Sequence, residues 1–126
     1  MKHFLLMCCL LVVTSASSYA QTNPVNKVTF MASVSQLNNY ISQNDMVAAQ
    51  ATWTDITVMM TLDQEYIKQM LSDAVQTEDP NGQNTFTARA EVQATQYSEA
   101  FRLIDDMVLN QSALIGRLNQ YAINIQ

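Results

Sequence analysis

Apolar residues recur every three or four positions along three stretches of the chain, a spacing that predicts helices and not strands. In the first, residues 27–43, Phe30, Val34, Leu37 and Ile41 form a stripe. In the second, 45–77, Met46, Trp53, Met60, Ile67 and Ala74 recur every seven residues, and Ala49, Ile56 and Met70 hold the complementary positions. Asp63 is the one polar residue on that seam. In the third, 85–124, the rhythm passes through Ala90, Ala94, Tyr97, Phe101, Ile104, Val108, Gln111, Ile115, Leu118, Ala122 and Ile125, interrupted only by Gln111. Leu103, Met107, Leu114 and Tyr121 widen this stripe on one flank, which predicts contact with two neighbours.

Between the second and third stretches, TEDPNGQN holds Pro80 and Gly82, and residues 78–84 read as a tight turn because Asn and Gly tolerate positive φ. Between the first and second, Ser42, Asn44 and Asp45 are cap-type residues without Pro or Gly, and they predict a short break. One continuous helix over 27–77 is the alternative. Thr61-Leu62-Asp63-Gln64 resembles a capping box and marks a possible kink, and Gly116 suits a close helix crossing. The expected fold is all-α, a long antiparallel hairpin with a shorter N-terminal helix packed on its open end, as in a three-helix bundle or coiled coil. At 1.5 Å per residue the three helices would span roughly 25, 50 and 60 Å. The lengths do not match, so the hairpin arm near the turn is expected to lack a third helix. There Ile67, Met70, Leu71 and Val75 would face Phe86, Val92, Tyr97 and Phe101, and these eight residues form the candidate partner-binding surface.

The first twenty residues change the picture. Lys2 precedes an unbroken apolar run from Phe4 to Val13, and small and polar residues lead to Ala20, which is the order of a secretory signal peptide. Crossing a bilayer takes about 20 apolar residues, so this run is not expected to remain as a membrane anchor. Cleavage after Ala20 would leave residues 21–26 as a flexible leader and 27–126 as one helical domain, exported to a periplasm or beyond the cell. It would also remove His3, Cys8 and Cys9, the only His and Cys of the chain. Removing Lys2 from the 6 basic residues leaves 5 against 11 acidic ones, a net charge of −6. That balance disfavours nucleic acid and anionic lipid as partners.

The same removal excludes chemistry. Without His or Cys there is no Ser-His-Asp or Cys-His site, no thiol redox centre and no zinc site of thiolates and imidazoles. The two Gly, Gly82 and Gly116, stand alone, so there is no phosphate loop. Glu99, Arg102, Asp105 and Asp106 fit surface pairing on a helix better than an acid–base pair. Glu78 and Asp79 by Gly82 lack the ligand register of a calcium loop. The Met residues suit an adaptable core more than a copper site, and Trp53 reads as a core anchor. No catalytic residue, metal or cofactor is expected. The reading is an exported helical protein that acts non-catalytically through helix-mediated association with a protein partner or a second copy. The alternative is a periplasmic holdase or adaptor that takes flexible clients on the arm near the turn. Mass spectrometry of the exported product is expected to find an N-terminus at Gln21, whereas retention of Cys8 and Cys9 would refute the cleavage.

Overall fold

The computed structural model describes residues 22–126, and within them every regular element is helical. The signal-peptide expectation, residues 1–20, lies outside the described residues. Four α-helices follow one another: α1 (Lys27–Ser42), α2 (Met46–Gln76), α3 (Pro80–Leu103) and α4 (Gln111–Ile123), with a 3₁₀ turn at Ile104–Asp106. Helix α1 packs on α2 and α4, and α3 packs on α2 and α4, which closes a ring of antiparallel neighbours. The all-α expectation holds. The single third helix expected over 85–124 is corrected to two helices that fold back on each other.

The reason lies at Asp106 and Asn110, whose side chains compete for backbone groups. Asp106 Oδ1 accepts from the Leu109 N–H at 3.0 Å, and Asn110 Nδ2 donates to the Leu103 carbonyl at 3.1 Å. Asp106 is therefore a turn residue and not a partner of Arg102, which pairs with Glu99 at 2.7 Å. Leu103, Met107 and Leu114 are buried on both sides of the reversal, so the apolar rhythm runs straight through it.

The other two connectors share one design. After α1, the Asn44 N–H donates to the Ile41 carbonyl and the Asp45 N–H to that of Tyr40; after α2, Glu78 and Asp79 donate to Val75 and Ala74 in the same way. Each is a Schellman closure with its central residue at positive φ, 57° for Asn44 and 53° for Glu78. An aspartate then caps the next helix, Asp45 to the Ala48 N–H and Asp79 to that of Gly82. The break expected at 42–45 is present. The turn expected over 78–84 is shorter, because Pro80 is already at the start of α3, where its missing N–H is harmless. Gly82 is helical, and a Cβ there would lie 2.5 Å from Asp79 Oδ2 and 3.1 Å from the Ala74 Cβ. It is small so that the cap and the two helices can approach. Gly116 has nothing within 4 Å of its would-be Cβ, which overturns the expected close crossing. Helix α2 runs unbroken through Thr61–Gln64, so that segment is not a cap either.

The core fills the closed ring. Phe30, Val34, Leu37 and Ile41 of α1 meet Ala49, Trp53, Ile56 and Met60 of α2, Ala100 and Leu103 of α3, and Leu114, Leu118 and Tyr121 of α4. Ile67 and Ala74 are buried too, yet outside this cluster, on the part of α2 that continues beyond it with α3 as an arm. Residues 22–26 are not free: Val25 is 5% exposed and joins the core, and Asn23 donates to Asp63. Ordering residues 22–25, which precede the Asn26 cap, costs about 4–8 kcal/mol. Burying Val25 contributes about 1.5–3 kcal/mol and a hydrogen bond to a charged group about 1.5–3 kcal/mol, so the segment is held with little to spare. In urea unfolding, Gly116→Ala is expected to raise stability by about 1 kcal/mol, and Gly82→Ala to show no such gain. Equal gains at both positions would contradict the packing described.

Candidate functional site

Four segments converge on the seam aspartate. Asp63 of α2 is fully buried, and its carboxylate accepts three hydrogen bonds. Asn23 Nδ2 reaches Oδ1 at 2.7 Å, while the Tyr121 hydroxyl of α4 and Gln93 Nε2 of α3 reach Oδ2 at 2.6 and 3.3 Å. Gln93 Nε2 also donates to the Tyr121 carbonyl at 3.1 Å, which ties α3 to the last turn of α4. The Asn23 amide has one consistent orientation, because its Oδ1 accepts from the Val25 N–H at 2.9 Å. Phe30 of α1 stacks on the Tyr121 ring with centroids 5.3 Å apart. Burial first, and the neighbouring Asp63 carboxylate second, push the Tyr121 hydroxyl far above its ordinary range and hold it protonated.

Two groups beside this cluster find no hydrogen-bond partner among the described residues: Gln93 Oε1, and Nε and Nη2 of Arg89. The Arg89 guanidinium lies over the Phe86 ring, 5.6 Å from its centroid, a cation–π contact. Arg89 therefore supplies positive charge on the same face of α3 as Gln93, one turn nearer the α2–α3 connector, without an ion pair to Asp63.

On the outer side of the α2–α3 pair, away from α1 and α4, lies a different surface. Trp53, Thr57, Val58, Leu62, Tyr97 and Phe101 line an open groove of roughly 370 Å³. Phe101 sits 6.2 Å from Trp53 and 5.8 Å from Tyr97 between ring centroids, so three aromatic rings form one patch. Val58, Leu62 and Phe101 are 53%, 40% and 52% exposed. The Thr54 and Thr57 hydroxyls bind carbonyls within α2, at Gln50 and Thr54, which leaves them no unmet demand on the groove.

The eight residues expected on one arm surface divide between these places. Ile67 is fully buried, so it is no contact surface. Met70, Leu71 and Phe86 are half-buried on the arm, with Val75 and Val92 exposed beside them. Tyr97 and Phe101 are not on the arm. The pairing of Gln83 with Ala74 and of Gln93 with Asp63 fixes an antiparallel register that carries Phe101 up to Trp53. Sequence reasoning missed Gln93, Asn23 and Arg89. The available signal was Asp63 itself, since a carboxylate on an apolar seam requires donors from the elements that face it.

No group of three or more His, Cys, Asp and Glu that could hold a metal ion occurs among the described residues, and no helix there is long and apolar enough to cross a membrane. Comparison with protein-family models, with curated proteins and with solved structures finds no match for this chain in any of the three.

The Tyr121 geometry has a pH consequence. Its folded pKa is raised above the unfolded value of about 10, so its contribution to stability is complete below that pH. It is lost as rising pH ionises the hydroxyl in the unfolded chain first. Tyr121→Phe is expected to cost about 1–3 kcal/mol at neutral pH and to flatten the alkaline decline in chemical-denaturation curves. An alkaline decline identical in both proteins would contradict the assignment.

Proposed function

We propose that this protein acts non-catalytically, by associating with another protein chain through the outer face of the α2–α3 pair. One observation carries the reading: Val58, Leu62 and Phe101 stay exposed around Trp53 and Tyr97 in an open groove between α2 and α3. Contiguous apolar surface of that kind marks interaction sites more often than chance exposure, and a groove between two helices suits the apolar stripe of a third. A partner helix would cover aromatic rings, which dominate interface energetics. A second copy is one such partner, and export to a periplasm or beyond the cell remains part of the proposal.

A second reading uses the arm. Val75 and Val92 are 55% and 40% exposed there, next to half-buried Met70, Leu71 and Phe86. Flexible, polarisable methionine beside scattered apolar side chains suits a holdase or adaptor that takes extended clients.

Val58→Glu with Phe101→Glu tests the first reading, because both side chains are exposed and their replacement leaves the core intact. The expected result is an unchanged far-UV helical signal together with loss of association, read as concentration-dependent mass by light scattering or as suppressed aggregation of an unfolding client. Association that survives the double substitution would overturn the reading, and its loss on Val75→Glu with Val92→Glu instead would favour the arm.

A further inference from the structure

We propose that residues 22–25 form a detachable strap that closes the base of the four-helix half over the Asp63 carboxylate and lifts without unfolding the bundle. The strap makes one hydrogen bond to the helices through a side chain, Asn23 Nδ2 to Asp63 Oδ1, and one apolar insertion, Val25. Its other polar contact is internal, from the Val25 N–H to Asn23 Oδ1. Thr22 and Pro24 are exposed, and an open depression of roughly 470 Å³, walled by Tyr66 and Gln126, brings solvent to the strap's flank.

Helix α1 does not depend on the strap. Asn26 caps it by accepting from the Val28 and Thr29 N–H groups at 2.8 and 3.2 Å, so residues 22–25 can swing away about a joint whose helix end is already satisfied. The gain from docking and the cost of ordering are of similar size, which places the strap at the low-stability end of the fold. Lifting it removes one of three donors from Asp63, while Tyr121 and Gln93 stay in place. It thereby opens to solvent a carboxylate oxygen close to Gln93, whose Oε1 already lacks a donor. The open form presents acceptors for an amide or ammonium group, the chemistry that Asn23 supplies when the strap is shut.

Thiol labelling under native conditions tests the device. Val25→Cys reports the strap, and in a separate protein Val34→Cys reports the α1 core. Peptide mass mapping separates both reporters from Cys8 and Cys9 where those residues are present. The thiol at position 25 is expected to react at least roughly tenfold faster than the one at position 34, because local opening is cheaper than global unfolding. Adding Asn23→Ala is expected to speed position 25 by about tenfold or more and to leave position 34 unchanged. Equal rates at the two positions would overturn the strap as a separate unit. A proportional change at both positions, or no response to Asn23→Ala, would overturn the Asn23–Asp63 bond as its latch.

Discussion

A carboxylate buried on the apolar seam of a long helix has to be answered by every element that faces it, and in this chain the arrangement of the helices follows from that demand. Asp63 collects donors from the strap, α3 and α4. Breaking a buried charge away from its partners is costly, typically several kcal/mol, so a register that parts Asp63 from Gln93 and Tyr121 is disfavoured. The bonds to Gln93 and Tyr121 therefore do what apolar packing does poorly, fixing how far α2 slides along α3 and where α4 ends. Tyr121 serves both sides of this boundary, with its hydroxyl on the carboxylate and its ring stacked on Phe30.

The cluster also divides the molecule. On one side, four helices bury a continuous core from Ile41 and Leu114 down to Phe30 and Tyr121. On the other, α2 and α3 continue alone, and Ile67 and Ala74 are the buried apolar contacts of the arm. Two helices cannot cover each other on all sides, so apolar area remains on the outer face and along the arm. The proposed association follows from this geometry: the short helices α1 and α4 occupy one side of the hairpin and leave Val58, Leu62 and Phe101 exposed on the other, beside the edge of the buried Trp53. Thr54, Thr57, Thr61 and Glu65 complete the groove lining, so a single charged side chain stands among its apolar and hydroxyl groups.

Much of this was legible in the sequence. The α1 stripe of Phe30, Val34, Leu37 and Ile41 is buried as its spacing implies, and so is the α2 seam apart from the half-buried Met46 and Met70, because helix periodicity and burial are the same constraint seen twice. The reversal between α3 and α4 was hidden, since near-helical turn geometry preserves apolar phase while Asp106 and Asn110 take over the backbone bonds. Along α3 the stripe was read one position off. Ala94 and Phe101 are exposed, and Gln93 and Ala100 are the buried residues. Hydrophobicity could not reveal this, because the interior position at 93 belongs to a glutamine whose hydrogen bonds make burial tolerable. The aromatic groove was out of reach for a related reason. It depends on the register between two helices, and the connector that sets the register is Thr77-Glu78-Asp79, with no glycine at its left-handed residue.

The Asp63 cluster separates a sealed bundle from a less protected arm, and residue-resolved native-state hydrogen exchange reads that difference amide by amide. Amides of α1, α4 and the adjoining halves of α2 and α3 are expected to exchange only through global unfolding, while those of residues 67–76 and 83–90 open at distinctly lower free energy. Uniform protection along the full length of α2 and α3 would contradict it.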